Sequence, residues 1–252
     1  MRVFCMYIYN IVLWTLFIVD ALILMPINLL VFAVTYPFDP QRKVIHKMSY
    51  YWGLHYIWFN PLWRIKYKCD ADINPKQPYI IVSNHQSMFD ICVMYNLPLV
   101  FKWVSRQGVF KIPFVGWLLK LHGDILIKQG DTHSTKEMFK QAKKWIDRGC
   151  SISIFPEGTR SKSGKILPFK EGAFMLAKIN KLPIIPVVIE GTRDILPTGG
   201  ALFGGCATAQ IHVLPVISAE TVASMKTRDL SNMIYDILIT EHKKMVPERY
   251  AE

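Results

Sequence analysis

From Val3 to Phe38 the chain carries a single charged side chain, Asp20, in a run dominated by Leu, Ile, Val and Phe. About 20 apolar residues span the hydrocarbon core of a bilayer, so this stretch is long enough to enter one. It is too long for a signal peptide, and no small-residue cleavage site closes it. Asp20 and Pro26 interrupt the run, and Asn10 and Asn28 add polar atoms. A carboxylate at the middle of a crossing helix costs roughly 3 kcal/mol, which favours a segment that dips into one leaflet over one that crosses. Met48 to Trp63 is a second stretch free of Lys, Arg, Asp and Glu, and rich in the Tyr and Trp that settle at the membrane–water boundary. Arg42, Lys43, His46 and Lys47 lie between the two, and Arg64, Lys66 and Lys68 follow. Basic flanks on both sides place the linkers on the cytoplasmic face. The expectation is a membrane-embedded two-helix segment over 1–63 and one further domain over 64–252.

The whole chain of 252 residues has a formal net charge of +11, with 51% hydrophobic residues and 19% charged. That balance excludes a disordered chain, and its sign calls for an anionic partner. With a membrane-embedded start, lipid headgroups fit better than nucleic acid. Cys5, Cys69, Cys92, Cys150 and Cys206 are odd in number and lack C-x-x-C spacing, so they read as reduced thiols packed as small apolar side chains. The seven His residues show no metal-ligand spacing, and no metal is expected.

After Arg64, short apolar runs alternate with amphipathic stretches. Strands are expected at Arg64–Cys69, Tyr79–Ser83, Leu99–Val104, Asp124–Lys128, Ser151–Phe155, Ile184–Glu190 and Gln210–Val216. The clearest helix is Thr135 to Arg148, capped by Ser134 and stopped by Gly149; Phe174–Asn180 and Asp229–Met245 are two more. Interleaving of this kind describes one α/β domain with a largely buried sheet.

Four blocks carry chemistry. The first is Ser83-Asn84-His85-Gln86-Ser87-Met88-Phe89-Asp90, directly after a strand. On a continuous helix a spacing of five would turn the two groups apart. With His85 at the strand end and Asp90 in the first turn of a helix, the carboxylate can orient the imidazole while the other ring nitrogen takes a proton. A local turn hydrogen bond is the alternative reading of the same pair. The second block is Phe155-Pro156-Glu157-Gly158-Thr159-Arg160-Ser161, in which Arg160 offers a planar fork to a phosphate, with Lys162, Lys165 and Lys170 nearby. The third runs from Val104 through Arg106, Gly108, Lys111 and Pro113 to Trp117, and on to Gly123-Asp124-Ile125-Leu126-Ile127. It suits an acyl channel beside a charged head, and equally ordinary packing. The fourth, Ile185-Pro186-Val187-Val188-Ile189-Glu190-Gly191-Thr192, is a buried strand entering a glycine turn.

In this order the blocks NHQSMFD, KIPFVGW–GDILI, FPEGTRS and IIPVVIEGT resemble the glycerolipid acyltransferases, the family of the 1-acyl-glycerol-3-phosphate acyltransferases. The resemblance covers about 80–192 and the two-segment start. It implies a mixed, mostly parallel sheet flanked by helices, with a hydrophobic acyl tunnel and an N-terminal two-helix membrane-associated segment. It also implies transfer of an acyl group from acyl-CoA or acyl-carrier protein to the sn-2 hydroxyl of lysophosphatidic acid. His85 would be the general base and Asp90 its orienting partner; Glu157, Gly158, Thr159 and Arg160 would line the glycerol-phosphate site. No cofactor beyond the thioester co-substrate is implied, because a thioester is already activated.

Two positions depart from the family's pattern: Gly108 stands where an acidic residue is usual, and Gln129 where an Arg is usual. Arg106, Lys111 or Lys128 would then have to supply the missing grip on phosphate. The same departures keep another lysophospholipid, or an aminoacyl lysolipid, as an alternative acceptor. A non-catalytic lipid-binding membrane protein is the alternative of a different class.

Overall fold

The computed structural model describes residues 2–251. It begins with α1 (Arg2–Thr35), a continuous helix that contains Pro26. The polar side chains in this apolar helix turn back onto its own backbone: Asn10 Nδ2 donates to the Met6 carbonyl at 3.0 Å, and Asn28 Nδ2 to Leu24 at 2.8 Å. Back-bonding of this kind lets a polar group sit in an apolar setting without an orphaned donor. The second helix, α2 (Lys43–Trp58), starts five residues earlier than the uncharged run suggested and ends sooner. Asp39 accepts from the Val44 amide at 2.8 Å and fixes that early start. Trp63, expected in the membrane segment, opens the first strand and is buried.

Seven strands are found among the described residues: β1 (Trp63–Cys69), β2 (Ile80–Ser83), β3 (Phe101–Arg106), β4 (Ile125–Ile127), β5 (Ser151–Ile154), β6 (Ile184–Glu190) and β7 (Ala207–Val213). They form one sheet in the order β1-β7-β6-β2-β5-β3-β4. Every pairing is parallel except β6 with β7, so the mixed, mostly parallel sheet expected is the one observed. The last strand starts three residues earlier than the apolar run indicated, because Ala207 pairs with Trp63 at the edge.

The sheet is covered on both faces. Ile80, Val82, Ile152 and Ile154 point to one side, against α5 (Thr132–Ile146), α6 (Gly172–Asn180) and α9 (Thr227–Met245). Ile81, Phe101, Trp103 and Ile185 point to the other, against α2 and the short α3 (Asp90–Met94). This is the period-two alternation of a strand buried on both faces. Helix α5 begins three residues before the expected Thr135, and its cap is Asp131, not Ser134; the Asp131 carboxylate accepts from the Ser134 amide at 3.0 Å. The apolar runs did not disclose three short helices: α4 (Val115–His122), α7 (Thr192–Ile195) and α8 (Ala219–Ser224).

Chain order leaves β2 in the middle, with later strands added on both sides. In an open parallel sheet, the carboxyl ends around such a reversal form a crevice. His85 leaves β2 there, Arg106 ends β3, Gln129 follows β4 and Gly158 follows β5. All five cysteines are free. Cys150 is buried as expected, but Cys5, Cys69 and Cys206 are exposed, which corrects the reading of all five as packed groups.

Candidate active site

The His85 Nδ1 lies 2.7 Å from Asp90 Oδ2. Asp90 has no exposed surface, yet both its oxygens accept hydrogen bonds. The same Oδ2 accepts from the amides of Gln86 at 2.7 Å and Ser87 at 2.9 Å, and Oδ1 accepts from the Thr192 hydroxyl. Three donors besides the imidazole thus satisfy a side chain that has no contact with water. The residues between His85 and Asp90 form a turn that leads into α3, so the five-residue spacing closes through the turn and not along a helix. The ring of His85 is stacked on Phe155, 3.9 Å between centroids and 9° between planes, and Phe155 in turn stacks on Trp103. Ring packing on one side and Asp90 on one nitrogen leave Nε2, which makes no hydrogen bond among the described residues.

His85 stands at a cavity of about 430 Å³. Its apolar wall is made by Trp103, Val104, Ile127, Met138, Ile154 and Ala173, drawn from β3, β4, β5, α5 and α6. Gly158, Thr159, Arg160 and Arg106 line it together with His85, as does Lys170, a residue noted in the sequence only as part of a basic cluster. Arg160 forms no ion pair or hydrogen bond among the described residues, so its fork is available to a ligand. Gly158 adopts φ +66°, a conformation that excludes most side chains, and turns its carbonyl toward Arg106 and Gln129. Gln129 Nε2 donates to it at 2.7 Å, so the glutamine at this unusual position holds the turn and does not face away from the site.

Three expected residues play other parts. Glu157 is buried and does not line the cavity: its Oε1 accepts from the His85 amide at 2.7 Å and its Oε2 from the Leu167 amide at 2.9 Å. Both oxygens are spent on the backbone, so the carboxyl ties the histidine loop to the following segment and is not a substrate ligand. Burial pushes its pKa up to about 8, opposed by those two amides. Lys128 pairs at 3.6 Å with Asp131 on the surface, and Lys111 lies on an exposed 3-10 turn (Val109–Lys111); neither borders the cavity. Of the three candidates to replace the missing arginine, only Arg106 reaches the site. Thr192, the last residue of the IIPVVIEGT block, gains a role only in the structure. Its partner lies 102 residues away in sequence, and no local pattern reveals such a contact. Among the described residues no group of His, Cys, Asp or Glu could hold a metal ion.

The family model described as Acyltransferase matches residues 64–190. Curated relatives include the chloroplastic 1-acyl-sn-glycerol-3-phosphate acyltransferase BAT2 of Brassica napus, 39% identical over 54% of this chain and 40% of its own length. The chloroplastic LPAT1 enzyme of Arabidopsis thaliana with the same activity in its name is 35% identical over 69% of this chain and 50% of its own. The alpha form of Mus musculus is 32% identical over 66% and 59%. The chain thus spans about half the length of the curated relatives it matches. The crystal structure of the 1-acyl-sn-glycerophosphate (LPA) acyltransferase PlsC from Thermotoga maritima shares the fold, with a TM-score of 0.80 at 20% identity, over 97% of this chain and 98% of that one.

Proposed function

The chain belongs to the acyltransferase family, and from that premise we propose that it moves an acyl group from a thioester to the sn-2 hydroxyl of lysophosphatidic acid, yielding phosphatidic acid. One observation carries the reading. A histidine whose Nδ1 is tied to a buried carboxylate presents its second nitrogen to a cavity that is apolar on one wall and bears Arg106, Arg160 and Lys170 on another.

Nε2 takes the proton of the acceptor hydroxyl as its oxygen bonds to the thioester carbon. The imidazolium that forms is stabilised by Asp90. The C–S bond then breaks, and the departing thiolate receives the proton back from Nε2. The thioester supplies the activation, so no covalent enzyme intermediate is required. The cations are placed for the acceptor's phosphate, and the apolar wall for the acyl chain. Names of relatives that specify 1-acyl-sn-glycerol-3-phosphate support this acceptor over other lysolipids.

The reading includes a membrane, with the catalytic domain on its cytoplasmic face. α1 is the one described helix long and apolar enough to cross a bilayer, and only 11% of its most apolar window is buried in the protein. It nevertheless runs along the catalytic domain and does not project from it. In its first half Trp14 Nε1 donates to the Ala201 carbonyl at 2.7 Å, and the helix also packs against α4. Asp20 accepts from the Tyr56 hydroxyl, so its cost in an apolar setting is offset by α2. These contacts favour a helix pair lying in one leaflet.

The test is a panel of lysophosphatidate, lysophosphatidylethanolamine, lysophosphatidylcholine and lysophosphatidylglycerol, each offered with one acyl-CoA in vesicles. Phosphatidate as the dominant product supports the reading; preference for another lysolipid replaces the acceptor, and no transfer to any of them refutes the enzyme.

A further inference from the structure

A second cluster of cations lies outside the cavity, on the loop that follows Arg160. Ser161 is joined to the catalytic histidine by its amide, which donates to the His85 carbonyl at 2.8 Å. The loop is held in shape by its own hydroxyls: Ser161 Oγ donates to the Lys165 carbonyl at 2.6 Å and accepts from the Gly164 amide at 3.1 Å. Gly164 has φ +81°, and two guanidinium groups close over it. A side chain beginning at residue 164 would start 1.8 Å from Nη1 of Arg249 and 3.2 Å from Nη1 of Arg193. Lys162 and Lys165 are exposed on the same loop, with Lys165 and Lys243 over the ring of Tyr250, 5.8 and 5.5 Å from its centroid.

Two like charges this close repel each other, and their donors are only partly taken up by the protein. Arg249 Nη2 is bound 2.5 Å from Glu190 Oε1, but its Nη1 is buried with no partner. Arg193 makes no hydrogen bond or ion pair among the described residues. Glu190 is already shared with His242 at 2.7 Å, and the other nearby carboxylates, Asp194 and Glu248, are exposed chain neighbours. A buried guanidinium nitrogen without an acceptor is destabilising, a cost removed when an anion sits between the two forks.

We propose that Arg193 and Arg249, closing over Gly164 with Lys162 and Lys165 at the rim, form a second anion site that seats a phosphate of the acyl donor's pantetheine carrier. This rests on the acyl-transfer reading and deepens it. The chemistry of such donors requires a seat of this kind: a pantetheine arm separates the thioester from its phosphate, so the phosphate rests on a surface outside the reaction centre. The cavity cations Arg106, Arg160 and Lys170 serve the acceptor. The loop cations lie beside a different part of the His85 turn, next to Thr192, whose hydroxyl holds Asp90. Coenzyme A and acyl-carrier protein both bear this phosphate, and the two sources are separated by experiment.

The first measurement is equilibrium binding of coenzyme A to the full chain in detergent, which does not depend on turnover. Arg193→Gln is expected to weaken it about tenfold, and R193Q combined with Lys162→Gln further. Arg249 is left intact because its pair with Glu190 is structural. Unchanged coenzyme A binding in both variants overturns the site, whether or not the protein transfers acyl groups. In steady state, R193Q should raise KM for acyl-CoA about tenfold while KM for lysophosphatidate and for acyl-pantetheine, which lacks the phosphate, moves less than twofold. Equal rises for acyl-CoA and acyl-pantetheine contradict a phosphate seat, and a rise confined to lysophosphatidate reassigns the anion to the acceptor. Acyl-carrier protein as donor identifies the natural source: a tenfold rise with it as well assigns the pantetheine phosphodiester, and a rise with acyl-CoA alone assigns the nucleotide phosphates. Failure of the wild-type chain to acylate any lysolipid, with coenzyme A binding and its loss in R193Q retained, refutes the transfer reading alone.

Discussion

Among the described residues, two histidine–aspartate pairs joined through Nδ1 have nearly the same geometry. His85 Nδ1 meets Asp90 at 2.7 Å and His122 Nδ1 meets Asp124 at 2.6 Å. What differs is the other nitrogen. His122 Nε2 is spent on His46 of α2 at 2.9 Å, and the pair is almost completely enclosed, with Asp124 also accepting from the Trp103 amide at 2.8 Å. His85 keeps 14% of its side chain exposed, and Nε2 faces a cavity. In the proposed mechanism the same hydrogen bond orients a base in one place, whereas in the other it belongs to a chain of contacts that ties α2 to the sheet. A base is recognised by the nitrogen left free and by what surrounds it, not by the dyad.

The largest expected effect falls on the open pair. His85→Gln should lower kcat at least about a thousandfold while the circular dichroism and Tm stay near wild type. Near-normal turnover would erase the distinction between the pairs. Asp90→Asn comes next, with a loss of about a hundredfold or more in kcat, because an amide neither stabilises the imidazolium nor holds the required tautomer. Arg160→Ala should raise KM for lysophosphatidate about tenfold and leave the KM of the acyl donor unchanged; equal weakening of both would contradict its place on the acceptor side. Thr192→Val, which removes only the hydroxyl that donates to Asp90, should cost about fivefold in kcat at unchanged KM, with recovery in Thr192→Ser. A Thr192→Ser as slow as the valine variant would show that shape, not the hydroxyl, matters there.

The closed pair should show its effect in stability. Burial, then repulsion from Lys102 and Arg42, holds the His122 pKa well below its ordinary value. Its depressed folded pKa means that the unfolded chain binds the proton more readily. Asp124 offsets this: burial pushes its carboxyl up to about 8, so below about pH 6.5 the folded pair keeps the one proton that the unfolded chain holds on its histidine, and the two shifts oppose each other. His122→Asn should destabilise the protein at pH 7.5 in denaturant titrations and change kcat less than twofold.

How far each feature could be read from residue order depends on how local its cause is. The His85–Asp90 pairing was legible because both residues sit in one strand-to-helix turn, and the strand Tyr79–Ser83 announced where that turn begins. The parallel sheet was legible from apolar runs such as Ile184–Glu190. Glu157 was misread because the amides that occupy it belong to His85 and Leu167, and nothing in the FPEGTRS block says that its carboxyl points backward. Arg249 and Gly164 meet only through tertiary structure, so the second basic cluster had no signature beyond a scatter of lysines. Helices as short as α7 and α8 leave too few turns for a periodic pattern.

The most direct test of the account sets the two histidines side by side. His85→Ala and His122→Ala are assayed for phosphatidate formation from lysophosphatidate and acyl-CoA in the same vesicles, at a temperature where both variants are folded. The account predicts no detectable product from the first and turnover within a few-fold of wild type from the second. Product from His85→Ala at a comparable rate would contradict it.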